Sequence, residues 1–439
     1  MVRKEKEMLH PNLSISNTGN LMIGGADVVE MAVKYGTPLY IIDEDRVREN
    51  CRTYFKALRA HLPHGSKVLY ASKALCYAGI FKVMKEESMC IDIVSAGELY
   101  TALRAGFPAE NMFFHGNSKP DSEIEYAVNA GVGHFVVDSF EELDRIDMQA
   151  GRVRRIQKVL LRVTPNIDTH THKKIATGTI DCKFGTPIET GQAENFVKTI
   201  LTKKNVRLDG LHCHVGSQIF DEKPYCQAAE VMVDFIADLY EKTGWLPEYL
   251  NLGGGFGVRY TEEDPQIDYE GWIERLGAKL KELCEKKNIP MPALLLEPGR
   301  SIVGDAGITV YSVTGVKEIP EHASYVAVDG GMTDNPRYAL YEAKYTMLLA
   351  NKAKKPKNYV CTVAGRCCES GDLLGENIAI QKPVKGDLLT VLTTGAYNYS
   401  MASNYNRVPR PAMVAVRDGR AVLAVRRESF EDLIALDTL

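Results

Sequence analysis

The sequence predicts an α/β protein: a (β/α)8 TIM barrel followed by a C-terminal antiparallel β domain of Greek-key or sandwich type. Three observations carry this reading. Short apolar runs recur from residue 67 to residue 300 with helix-patterned segments between them, and strands alternating with helices build a parallel sheet. Almost every run starts apolar and ends polar, which suits a barrel that gathers its reactive side chains at the C-terminal mouth of its strands. Beyond Arg300 the texture changes to alternating β-patterned runs separated by glycine turns.

In chain order, the runs are KVLYASK (67–73), CIDIVS (90–95), MFFHGN (112–117), HFVVDS (134–139), VLLRVT (159–164), LDGLHCHVGS (208–217), YLNLGGG (249–255) and ALLLEPGR (293–300). Eight such units fit a closed barrel better than an open doubly wound sheet. The spacers AGELYTALRAG (96–106) and SEIEYAVNAG (122–131) carry apolar residues at helical period and end in glycine, as a helix C-cap does. The polar strand ends are Lys73, Ser95, His115, Asp138, Arg162, His214, the glycines 253–255, Glu297 and Arg300. A single polar strand end says nothing; the succession does.

The barrel is expected over 43–299 and the β domain over 300–439. In the latter, MVAVRDGRAVLAVRR reads as a hairpin with Asp418-Gly419 at its tip. Residues 1–42 contain the strand-like pieces NLMIGG and TPLYIID and are expected to pack with the β domain.

Composition excludes several classes. With 53 Lys+Arg against 57 Asp+Glu the net charge is -4, without the basic excess of a nucleic-acid binder. No run reaches the ~18 apolar residues of a membrane span, and MVRKEKEMLHPNLS has no apolar core after its charges, so no secretory signal is expected. The 10 cysteines include no C-x-x-C pair; they read as reduced thiols of a cytoplasmic protein, with no metal expected.

Several residues can carry chemistry. Lys73, among Ala and Ser at an apolar strand end, would be partly desolvated, which lowers an amine's pKa and favours attack on a carbonyl; a surface lysine is the simpler account of it alone. Gly253–Gly257 lie where barrels often cradle phosphate, after the seventh strand, although a tight turn would also need glycine. Glu297 and Arg300 close the eighth run and could form a mutual ion pair. His212 and His214 share one face of the sixth, and a lone histidine is commonly a packed core residue. Together these residues offer an amine, a phosphate cradle, an aromatic plane and a carboxylate, the set that pyridoxal phosphate requires.

The ordered motifs YASKA, HCHVGS, GGGFG, EPGR, NPRYALYEA, CESGD and GAY resemble those of the pyridoxal-phosphate-dependent decarboxylases of the alanine-racemase-like fold, over nearly the whole chain. The resemblance implies that Lys73 holds the cofactor covalently. It implies that His214 stacks on the ring, and that Ser217, Gly254, Gly255, Gly299, Arg300 and Tyr397 hold the cofactor, chiefly its phosphate. Glu297 would face the pyridine nitrogen and favour the protonated ring, a better electron sink; racemases of this fold present an arginine there instead.

The resemblance further implies decarboxylation of meso-2,6-diaminopimelate to L-lysine. Arg300, Arg337, Tyr341 and Tyr397 would contact the substrate, the two arginines gripping its distal carboxylate, with Glu369 on its distal ammonium. Cys368 would return a proton to the carbanion, its thiol kept protonated by Glu369 and Asp372; a buried structural pair with Cys367 is the alternative. The same family implies a homodimer with shared active sites. A decarboxylase acting on arginine, ornithine or carboxynorspermidine, a non-catalytic cofactor-binding homologue and a Schiff-base aldolase are the competing readings.

Overall fold

The computed structural model describes residues 8–167 and 182–438 and divides into two compact units. One comprises Cys51–Gly257 and Ile267–Gly299; the other takes the chain as far as Asn50, Val258–Gln266, and everything from Arg300 onward.

The first unit is a closed barrel. Its strands are Lys67–Ala71, Cys90–Ile93, Met112–Phe114, His134–Val137, Gln157–Thr164, Val206–His212, Tyr249–Asn251 and Ala293–Leu296. Each pairs in parallel with the next, and Leu295 and Leu296 pair with Lys67 and Val68 to close the ring. All eight apolar runs are therefore barrel strands. Seven of them place a side chain in one interior cluster: Leu69, Cys90, Phe113, Val136, Leu160, Tyr249 and Leu295. This filling makes the barrel a packed core with chemistry confined to its ends.

Helices return the chain between strands, and their ends follow local chemistry. Ser95 and Ser139 cap Ala96–Arg104 and Phe140–Arg152 by accepting the backbone N–H groups of Glu98 and Glu142. Gly131 and Gly244 end Asp121–Ala130 and Lys223–Thr243 in the left-handed conformation. Gly210 lets the sixth strand approach the seventh: a Cβ there would lie 2.1 Å from the Tyr249 carbonyl oxygen.

The second unit is built on the long strand Gly307–Lys317. It pairs antiparallel with Leu39–Asp43, Leu388–Leu392 and Tyr325–Val328. The N-terminal strand Leu39–Asp43 thus lies inside this sheet. Two pairings are parallel, Tyr325–Val328 with Tyr359–Ala364 and Ala412–Arg417 with Leu39–Asp43, so the sheet is mixed. Alternation puts Ile308 and Val310 in one core and Tyr311 and Val313 in the other. The Asp418-Gly419 hairpin turn forms, with φ of 50° and 70° at its two residues as a type I′ turn requires.

Candidate active site

The polar strand ends converge at the C-terminal mouth of the barrel. Glu297, one residue past the eighth strand, is buried and finds its partners on three other strands. Its Oε1 accepts a 2.6 Å hydrogen bond from Asn251 Nδ2, and Oε2 lies 3.2 Å from His212 Nε2. His115 Nε2 is 3.0 Å from Oε1. Burial opposes ionisation of this carboxyl, but His115 and His212 overcome it and hold Glu297 well below the usual carboxylate range. Glu297 is therefore an oriented anion. Among the described residues, His115, His212 and Glu297 are the set with metal-ligand spacing.

The glycine run is required by backbone approach. A Cβ on Gly254 would sit 1.8 Å from the Glu297 carbonyl oxygen, and one on Gly255, at φ +104°, would sit 2.2 Å from that of Gly216. The seventh strand end is thereby clamped between the sixth and eighth. The Gly254 N–H donates to His214 Nδ1 at 3.3 Å, which makes Nδ1 the acceptor and leaves the imidazole in its Nε2–H form. Burial, reinforced by the Lys73 and Arg162 cations, pushes His214 well below the usual histidine pKa. Its ring is a neutral plane.

Lys73 sits on the 3-10 turn Ser72–Ala74 that ends the first strand. It is exposed, where the sequence suggests partial desolvation, because the surrounding Ser72 and Ala74 are the buried members of that turn. Its ammonium charge acts on Asp92, Glu98 and His214. Asp92, buried on the second strand, is raised by burial and by the neighbouring Glu297 against the pull of His115 and Lys73. Burial pushes Glu98 up to about 7. Arg162 on the fifth strand stacks its guanidinium 4.3 Å from the Phe184 ring. Asp92 and Glu98 carry no motif that singles them out in sequence; only their position beside Lys73 does.

In the second unit, Arg300 and Arg337 are both buried. Arg300 Nη1 donates to the Tyr260 hydroxyl at 2.6 Å and its guanidinium lies 4.7 Å from the Tyr397 ring. Arg337 Nη1 donates to the Tyr345 hydroxyl at 2.8 Å and lies 5.0 Å from the Tyr260 ring. Tyr397 holds φ +61°, a conformation rare outside glycine and concentrated at functional sites. Tyr341 is half-buried at the end of the helix Arg337–Tyr341; the hydroxyls that meet the guanidiniums are those of Tyr260 and Tyr345.

Cys368 and Glu369 lie exposed in the loop after Tyr359–Ala364. Asp372 faces Cys367, whose N–H it accepts at 2.7 Å. Burial and then Asp372 push the Cys367 thiol up to about 11. The Cys368 N–H donates to Asn406 Oδ1 at 2.8 Å, so the two adjacent cysteines face different neighbours.

Comparison with known proteins decides the family. The pyridoxal binding domain of the pyridoxal-dependent decarboxylases matches residues 44–304. Diaminopimelate decarboxylase of Bacillus subtilis is 44% identical over 430 residues, 98% of each chain. The chain belongs to the diaminopimelate decarboxylase family. The diaminopimelate decarboxylase of M. jannaschii solved with L-lysine superposes with a TM-score of 0.90 at 35% identity, covering 99% of each chain. A lysine/ornithine decarboxylase from Vibrio vulnificus, solved with putrescine, reaches 0.73 at 26% identity over 89% of this chain and 98% of that one.

The barrel mouth fits the family's cofactor on its own geometry. It offers an exposed primary amine, a buried carboxylate held ionised, and an uncharged imidazole plane that would not repel a protonated pyridine ring. It also has a glycine turn where neighbouring backbone leaves no room for a side chain, and buried polar atoms at Asp92 Oδ1 and His212 Nδ1 without a protein partner.

The same electrostatics predict acid sensitivity. Burial lowers the pKa of His134 and His214 and brings His212 to about 4. Below pH ~6.5 the unfolded chain therefore takes up protons that the folded barrel refuses, and Glu297, lowered, adds in the same direction below its ordinary range. The contribution of these imidazoles is full above pH ~6.5 and falls on acidification, by up to about 1.4 kcal/mol per pH unit for each group, while buried carboxyls raised to about 7, Glu98 and Asp334, act in the opposite direction below pH ~7. Relative to the parent, the urea midpoint of His212→Gln is expected to gain between pH 7 and pH 5, because the variant lacks an imidazole that resists protonation in the folded state. The same pH dependence in variant and parent would contradict a neutral buried imidazole at position 212.

Proposed function

We propose that the chain decarboxylates meso-2,6-diaminopimelate to L-lysine and CO2 with pyridoxal phosphate, as a cytoplasmic homodimer. The fold alone does not choose the substrate, since a lysine/ornithine decarboxylase shares it. The observation that carries the choice is the buried Arg300–Arg337 pair. Two guanidiniums with phenolic acceptors are a receptor for a carboxylate, and ornithine or arginine has none at its distal end.

Pyridoxal phosphate, when bound, supplies a sink for the electron pair left by departing CO2. Lys73 would anchor it covalently through its amine. Glu297 offers its ionised carboxylate to the pyridine nitrogen. His214 presents its uncharged face to the ring, while Ser217, Gly254, Gly255, Gly299, Arg300 and Tyr397 hold the remainder. Gly254 has already given its N–H to His214, so its contribution is close backbone approach. Arg300, Arg337, Tyr341 and Tyr397 would orient the substrate from its distal end, so that remote contacts position the reacting bond. Glu369 takes the distal ammonium. Cys368 delivers the proton that replaces CO2. The exposure of Cys368 and Glu369 supports a role for this loop in the site of a second copy.

The test is direct. Purified protein given meso-diaminopimelate is expected to release CO2 and L-lysine in equal amounts, with kcat/KM for ornithine or arginine lower by about a thousandfold or more, because a site built for a polar group rejects substrates lacking it. Comparable rates on ornithine would sink the proposal.

A further inference from the structure

We propose that Tyr260 is a specificity-determining positioning residue, holding Arg300 and Arg337 together as one receptor for a carboxylate on the non-reacting end of the substrate. The inference rests on the reading above, that these two arginines take that carboxylate.

Tyr260 lies on Val258–Gln266, the excursion that joins the second unit from within the barrel's stretch of chain. Its backbone is pinned: the N–H donates to Asp264 Oδ2 at 2.8 Å, and its carbonyl accepts from Thr346 N at 3.1 Å and Thr346 Oγ1 at 2.9 Å. The ring is 5% exposed and packs edge-on against Tyr345 at 5.1 Å. It is a rigid platform rather than a mobile surface tyrosine. Arg300 donates to its hydroxyl at 2.6 Å, and Arg337 lies 5.0 Å above its face while also donating to Tyr345.

Two guanidiniums this close repel, and burial strengthens the repulsion. The Tyr260 oxygen accepts from Arg300 while its ring faces Arg337, so one side chain touches both cations; burial alone would raise its phenol pKa, but Arg300 and Arg337 pull it below the usual value. A carboxylate in its place would neutralise the pair and close the receptor to ligands. A phenol orients the cations without cancelling their charge, so an incoming carboxylate still gains from both. Among the described residues, no carboxylate lies at ion-pair distance from Arg337, whose polar partner is the Tyr345 hydroxyl. The charge complement must arrive with the ligand.

The test uses the holoenzyme. Tyr260→Phe keeps the ring and removes the acceptor. KM for diaminopimelate is expected to rise about tenfold with kcat within about twofold. Inhibition by pimelate, which has the carboxylates and no amines, should weaken in parallel. Inhibition by 1,5-diaminopentane, which has no carboxylate, should not move, nor should the spectrum of bound cofactor. A structural lesion would move all five readouts. If Tyr260→Phe does not fold, 4-aminophenylalanine at position 260 preserves shape while replacing the hydroxyl, and the same KM rise is expected.

Arg337→Ala separates the two levels of the argument. If it raises KM for diaminopimelate while the Tyr260 variants leave KM and pimelate inhibition unchanged, the role of Tyr260 is overturned and the arginine receptor stands. If Arg337→Ala itself leaves KM unchanged, the receptor reading fails and this inference with it.

Discussion

Lys73→Ala is expected to abolish turnover and the visible absorbance of bound cofactor together, while leaving the fold intact. The separation follows from where the residue sits. Lys73 is the exposed member of a turn whose neighbours Ser72 and Ala74 are buried, so its truncation opens no cavity, and stability should change by less than about 0.5 kcal/mol. Its chemistry has no substitute among the groups around it. Asp92 and Glu98 are carboxyls, His214 is held uncharged, and Arg162 is a guanidinium stacked on Phe184. None supplies a primary amine. A loss of activity by about 10⁴-fold or more is the scale for removing a covalent nucleophile. The measurement is the absorption spectrum and lysine yield of the variant in one preparation, with the thermal midpoint as control. Wild-type absorbance in the variant would place the covalent attachment elsewhere. Burial and Arg162 still depress His214 in the variant, but one of its neighbouring cations is gone, so the imidazole should titrate at somewhat higher pH, a shift visible by NMR of the apoprotein.

How far such residues are visible in sequence depends on the distance over which their meaning is set. The eight strand ends are legible because strand, polar terminus and helix follow one another locally, and barrel topology then brings all of them to one mouth. The glycines at 253–255 are legible as a run, but not their cause, which is the approach of two other strands to within a Cβ radius. The company of Glu297 is not legible. His115, His212 and Asn251 come from the third, sixth and seventh strands, and only ring closure makes them neighbours. The desolvation expected of Lys73 fails for a related reason, since flanking apolar residues describe the turn and not the direction of the side chain. Asp372 was expected beside Cys368 and instead serves Cys367, because the loop turns between them. Tyr260 is the least visible. It follows the glycine run in what reads as an ordinary barrel loop, and its importance lies in Arg300 and Arg337, 40 and 77 residues away.

Mixing two inactive variants, Lys73→Ala and Cys368→Ala, is expected to regenerate activity. Cys368 and Glu369 are exposed, whereas Arg300 and Arg337 are buried. An exposed proton donor must be brought against the reacting carbon and away from water, and a second copy covering this loop would do so. If each site takes Lys73 from one copy and Cys368 from the other, a hybrid dimer has one site with both defects and one with neither. Random exchange makes half of the dimers hybrid, so recovery approaches about a quarter of parental activity. Cys368→Ala alone should retain bound cofactor and lose most of its turnover, about 10²-fold or more for a missing general acid. Cys367→Ala, with its thiol turned to Asp372, should remain active. Zero recovery in a mixture whose subunit exchange is verified by mass spectrometry would return Cys368 to the site of its own chain, and an unimpaired Cys368→Ala would remove it from the chemistry altogether.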